Sequence, residues 1–169
     1  MKVNKFKTVI VLFLFSLLFL GFTGKNHPPV QKKEKETIHW LTFEQLKDSM
    51  AVKPKKIFID IYTDWCGPCK LMDKKVFPKA DVVRLMNENY YAVKLNAETA
   101  DSLSFNGKEY YLKPYKTTVI NELVVEIGLE AGHLSFPTLI ILDENYEVVY
   151  RYPGMLTVDL LIDVLETWK

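Results

Sequence analysis

The chain has 169 residues, 49% of them hydrophobic and 25% charged, with a formal net charge of +1. That is room for one domain with appendages, in the composition of an ordinary globular protein. Near-neutrality gives no footing for nucleic acid or a strongly acidic partner, and two cysteines are too few for a small secreted domain stapled by disulfides.

Lys2, Lys5 and Lys7 stand without an acid in the first 24 residues, and residues 9–20 are apolar except for Ser16. A basic segment followed by an apolar run of this length predicts an export signal; the run falls short of the roughly 20 residues of a full membrane span. Gly21-Phe22-Thr23-Gly24 offers small residues without a clean cleavage pattern, so residues 1–24 are read as a signal peptide or an uncleaved N-terminal anchor. Residues 25–37 hold Pro28-Pro29 and a run of lysines and glutamates, which predicts a flexible linker.

A folded domain is expected over residues 38–169. Thr42 and Gln45 form a capping-box pattern ahead of Phe43, Leu46 and Met50 at helical spacing, predicting a helix over 43–51. Residues 56–62 (KIFIDIY) are apolar at nearly every position and suit a central strand buried on both faces. After Cys66-Gly67-Pro68-Cys69 comes a helical stretch to Phe77, with Leu71, Met72, Val76 and Phe77 able to face one core, ended or kinked by Pro78. A further helix over 81–89 leads into a strand over 91–96. Asn106-Gly107 between apolar flanks predicts a β-hairpin, with Tyr110, Tyr111 and Leu112 on its return arm. A helix over 121–131 with Gly132 as its stop, two adjacent antiparallel strands over 139–142 and 147–152, and a helix over 157–169 burying Leu160, Leu161, Val164, Leu165 and Trp168 complete the chain. Alternating strands and helices, then a hairpin and a helix, make a three-layer α/β/α sandwich.

The chemistry sits at Cys66 and Cys69. Two cysteines three apart at a strand-to-helix junction bring their sulfurs together across one turn, and the helix start offers the first sulfur unpaired N–H groups and the positive end of the dipole. Lowering a thiol from about 8.5 to about 7 takes roughly 2 kcal/mol, which a favourable helix terminus supplies at most. Cys66 is therefore expected to be the attacking thiolate and Cys69 the resolving thiol. A metal role is weaker: a closed zinc site takes four ligands, and His27, His39 and His133 lack finger-like spacing. Asp60 stands in the middle of an otherwise apolar strand, where a carboxylate is costly unless satisfied or needed.

The stretch from Asp60 through Trp65 and Cys66 to Cys69 and Lys70 resembles the active-site segment of the thioredoxin family. Phe136-Pro137-Thr138 is similar to that family's cis-proline segment, and Gly154 falls where the family places a glycine after the last strand. The resemblance covers roughly residues 38–169 and implies the thioredoxin fold with a central mixed sheet. It also implies thiol–disulfide exchange on protein clients, with the Cys66–Cys69 disulfide as the only redox group and no other cofactor or metal. By the same matching, Asp60 accepts a proton from the resolving cysteine through water and Lys94 neighbours that acid. Trp65, Gly67, Pro68, Phe136, Pro137 and Gly154 then line the client groove.

The segment from Asp64 to Val76 looks more like the reductant-relay thioredoxin-like domains of bacterial envelopes than like cytosolic thioredoxin. This implies a periplasmic or envelope location and a membrane-linked thiol electron donor. Residues 97–136 exceed the family's short connection, so residues 98–115 are read as an inserted β-hairpin. Its aromatics Phe105, Tyr110 and Tyr111 are expected to flank the active site. The Gly-Pro between the cysteines resembles that of reducing thioredoxins, which implies reduction; an oxidase or isomerase, and a polypeptide-binding module with incidental cysteines, stay open beside it.

Overall fold

A computed structural model describes residues 36–98 and 102–169; the predicted signal or anchor over 1–24 and most of the linker lie outside the described residues. The described elements begin with β1 (Trp40–Leu41), α1 (Phe43–Val52), β2 (Lys56–Tyr62), α2 (Gly67–Lys75), α3 (Ala80–Asn89) and β3 (Tyr90–Asn96). Next come β4 (Leu103–Phe105), β5 (Lys108–Tyr110), β6 (Leu112–Tyr115), β7 (Thr118–Asn121) and α4 (Glu122–Gly128). β8 (Thr138–Leu142), β9 (Val148–Pro153) and α5 (Val158–Thr167) finish the domain.

Five strands form one mixed sheet in the order β1-β3-β2-β8-β9. β1 and β2 run parallel to β3, whereas β8 pairs antiparallel with both β2 and β9. β2 is central and paired along both flanks, which is why nearly every residue of KIFIDIY is apolar. Its alternation divides the core. Phe58 packs with Met72 of α2, Val82 and Met86 of α3, and Leu161 and Leu165 of α5. Ile57, Ile59 and Ile61 point to the other side, against Leu46 and Met50 of α1 and Leu123, Val124 and Ile127 of α4. Three layers result, as the periodicities require.

The capping box forms: Gln45 N–H donates to Thr42 Oγ1 at 3.2 Å, and Thr42 N–H to Gln45 Oε1 at 2.9 Å. β1, too short to leave a pattern in the sequence, adds two residues to the edge beside Ala92 and Val93.

Several expectations need correction. α4 ends at Gly128 rather than near Ala131, and Gly132 belongs to the following turn. Ala131 and Gly132 both take positive φ there, so that Glu130 and His133 exchange backbone hydrogen bonds in a tight reversal. α2 ends at Lys75, and Leu71 faces solvent while Met72, Val76 and Phe77 are buried. On α5, Leu161 and Leu165 are buried, but Leu160 is half exposed because the helix carries more apolar residues than one stripe can seat.

The largest difference lies between β3 and α4, where the sequence predicts one hairpin and the structure has two. Asn106 and Gly107, both at positive φ, turn β4 into β5 as the Asn-Gly signal requires. Leu112, expected on that return arm, instead opens the hairpin β6–β7. Phe105 and Tyr110 do not flank an active site: both are buried in the core beneath α1 and α4. Phe105 meets Phe43 of α1 and Tyr146 edge to face, at 5.7 and 5.3 Å between ring centres. Tyr146 follows β8 at the end where Leu142 pairs with Ile57, the start of β2 and the far end of the sheet from Cys66. Only Tyr111 is exposed.

Candidate active site

β2 ends at Tyr62, and the chain turns through Thr63, Asp64 and Trp65 into α2. Cys66 is the N-cap of that helix and Pro68 lies in its first turn, where a missing N–H costs nothing. Cys66 and Cys69 form a disulfide, with Cα atoms 5.3 Å apart and an S–S length of 2.04 Å. The Cys69 N–H donates to Cys66 Sγ at 3.1 Å, so an unpaired amide of the helix start is directed at the first sulfur. Cys66 and Cys69 are 2% and 4% exposed, while Gly67 and Pro68 between them are exposed. A partner thiolate therefore has a narrow approach to either sulfur.

The Phe136–Pro137 peptide is cis, and Pro137 is buried. Gly154 donates its N–H to Pro137 O at 2.7 Å with φ +116°, a conformation that favours glycine. The Phe136 ring meets Trp65 edge to face at 5.9 Å, which links the cis-proline loop to the residue before Cys66. Trp65 is 67% exposed. Its indole N–H donates to the Glu98 carboxylate at 3.1 Å. Glu98 is in turn held by its own N–H to Asn96 Oδ1, and Asn96 Nδ2 reaches Asp64 Oδ1. Glu98 was not singled out by sequence reasoning; a lone glutamate past a strand end carries no local signal.

Asp60 shares the face of β2 on which Phe58 meets α2, and it is 2% exposed. Its register partner on β3 is Lys94, whose ammonium donates to Asp60 Oδ2 at 2.9 Å. Asp60 Oδ1 is buried and has no hydrogen-bond partner among the described residues. Burial pushes the Asp60 carboxyl above the usual carboxylate range, against the pull of Lys94. Lys94 also donates to Asp73 Oδ1, and its Nζ lies 5.0–5.3 Å from the ring centres of Tyr62, Trp40 and Phe77. Burial works against that ammonium, but Asp60 and Asp73 outweigh it and hold Lys94 above the usual lysine range. Asp73 also escaped the sequence reading, although it stands four residues after Cys69, on the same helix face. Among the described residues, no cluster of three or more His, Cys, Asp or Glu side chains is arranged to hold a metal ion.

A helix capped by one sulfur of a disulfide, facing a cis-proline loop at the end of a five-stranded mixed sheet, defines a thioredoxin-fold protein. The chain belongs to the thioredoxin-like domain family, whose sequence profile matches residues 43–169. It is 32% identical over 87 residues to the thiol:disulfide interchange protein DsbD of Pseudoalteromonas atlantica, covering 50% of this chain and 14% of that protein. The chain thus spans about a seventh of that relative's length. A thioredoxin of Echinococcus granulosus is 30% identical over 86 residues, covering 50% of this chain and 69% of that one. Among solved structures, a DsbH oxidoreductase superposes with a TM-score of 0.52 over 85% of this chain and 95% of its own, at 13% identity, a likeness of fold alone.

Proposed function

We propose that the chain is a thiol–disulfide oxidoreductase that reduces disulfides in protein clients. The observation that carries this is the Cys66–Cys69 disulfide at the N-terminus of α2, beside the cis Phe136–Pro137 peptide. In the reduced enzyme the Cys66 thiolate attacks a client disulfide. An S–S bond forms between Cys66 and the client, and one client sulfur leaves as a thiolate. Cys69 then gives up its proton and attacks Cys66 Sγ; the second client thiolate leaves, and the Cys66–Cys69 disulfide returns. The client gains two electrons and the enzyme dithiol loses them.

In this reading Asp60 takes the proton of Cys69 through water, and Lys94 balances its charge. Trp65, Gly67, Pro68, Phe136, Pro137 and Gly154 border the groove that receives an extended client. No organic cofactor or metal enters the cycle. The three lysines and apolar run over residues 2–20 support export to the cell envelope, with residues 1–24 acting as a signal or anchor. There, a membrane-linked thiol donor would return electrons to Cys66–Cys69.

Equilibration of the pair with glutathione buffers tests the proposal. A potential near the thioredoxin value of about −270 mV is expected; one near about −120 mV makes the protein an oxidase. A pair that never cycles removes the enzymatic reading.

A further inference from the structure

Lys94 serves two carboxylates. From β3 it reaches Asp60, buried on β2, and from the same Nζ it reaches Asp73 on α2, whose side chain is 46% exposed. The rings of Tyr62, Trp40 and Phe77 lie about the ammonium, and among the described residues the two acids are its hydrogen-bonding partners. Asp73 also lines a cleft of about 240 Å3 with Thr37, Ile38, Trp40, Phe77 and Pro78, so one end of the triad meets solvent and the other does not.

On the face of the sheet that holds Asp60, β3 contributes Lys94 and α2 brings Asp73 to that ammonium; β8, on the other flank, pairs Leu139 with Asp60, β2 adds the Tyr62 phenol, and the residues that α3 and α5 bury on this side, Val82, Met86, Leu161 and Leu165, are apolar. The electrostatic state of Asp60 therefore depends on how Lys94 is shared.

We propose that Asp73 is a positioning residue for the proton-accepting step: it draws the Lys94 ammonium toward solvent and so keeps Asp60 basic enough to receive the Cys69 proton. The inference rests on the reading of Asp60 as that acceptor. In the step concerned, the Cys69 S–H proton passes to the Asp60 carboxylate, the Cys69 sulfur bonds Cys66 Sγ, and the client sulfur departs as a thiolate. A carboxylate fully neutralised by Lys94 is a poor base. Without Asp73, the whole of the cation falls to Asp60, and the nearby negative charge that raises its proton affinity is lost. Both changes act in the same direction.

The test uses the reduced full chain and the aromatic disulfide 5,5′-dithiobis(2-nitrobenzoate). The first thionitrobenzoate released reports attack by Cys66 and the second reports resolution by Cys69; the second phase is followed by stopped flow from pH 5 to 10. Asp73→Asn is expected to move the midpoint of that phase down by at least half a pH unit and to slow its plateau several-fold. Asp73→Glu is expected to keep the wild-type profile, and Asp73→Asn added to Asp60→Asn should change nothing further. An unchanged midpoint in Asp73→Asn, or the same shift in the Asp60→Asn background, overturns the role of Asp73 while leaving Asp60 in place. A second phase that Asp60→Asn itself leaves untouched removes the acceptor reading and this inference with it. Because Asp73 is half exposed, Asp73→Ser serves as a second variant, and near-UV circular dichroism checks the fold of each.

Discussion

At Cys66 and Cys69, one atom decides each step, so single substitutions separate the roles. Cys66→Ser is expected to abolish turnover of an insulin-type disulfide substrate, a loss of roughly a thousand-fold or more by thiol release. Cys69→Ser should instead accumulate a mixed disulfide with the client, visible as an adduct by intact mass. Asp60 makes a prediction of a different kind. Burial raises its folded-state proton affinity, so the stability this group contributes is full below its unfolded pKa of about 4 and is lost as pH rises through the higher folded value. Asp60→Asn should therefore raise the urea midpoint at pH 8 and show no such gain at pH 3.5. The gain amounts to about 1.4 kcal/mol per pH unit by which the folded value is raised. Asp60 was legible in the sequence because a lone carboxylate interrupts an apolar strand. Asp73 and Glu98 were not, because each is an ordinary acid in its local context; only the packing of α2 on β3, and of the segment after β3 beside Trp65, gives them partners.

Among the elements, those with strong periodicity and punctuation were read within a residue or two. β2 was continuous in apolar character, α1 carried a capping box, and α2 was placed by the cysteines that start it and the proline that follows it. The apolar positions of α4 continue to Leu129 and predict a longer helix, whereas the helix stops at Gly128 and Leu129 is already extended, ahead of the turn at Ala131 and Gly132. A Cβ built on Gly128 would lie 2.9 Å from Ile61 Cδ1, so the last turn of α4 sits almost against β2. Gly128→Ala should therefore cost about 1–3 kcal/mol by overpacking, despite the higher helix propensity of alanine, with chemical denaturation as the readout. The Ile61 methyl is the end of a flexible side chain, which favours the lower part of that range. The second hairpin was hidden for a comparable reason. Pro114 argues against a strand, and the turn at Lys116 reaches φ +52° without an asparagine or glycine to announce it.

Over the whole domain, the thioredoxin fold was visible from the order of its elements, while the placement of the added segment was not. The sequence distinguishes aromatic from polar, but not an aromatic that greets a client from one that fills a core. Phe105, Tyr110 and Ile120 lie in the same cluster as Leu46, Ile59 and Leu123. Phe105→Ala is expected to cost about 3–5 kcal/mol, seen as a lower denaturation midpoint, since Phe43 and Tyr146 lose the ring between them. The rate of thiol exchange on a small disulfide should stay within two-fold of wild type at temperatures where the variant is folded, because that contact lies at the opposite end of the sheet from Cys66.

The Asn121 N–H donates to Ala97 O at 2.9 Å, so the chain leaves the domain and re-enters it at nearly one point. The excursion is a bracket: by connectivity alone it is a cassette whose two ends already meet, and a short splice between them would disturb neither β3 nor α4. Its burial says the reverse, for the cassette carries part of the interior with it. Removing it would leave a chain that can still be joined but whose apolar flank along α1 and α4 is newly open to water, so a viable shortened form needs replacement of the surface beneath as well as the splice.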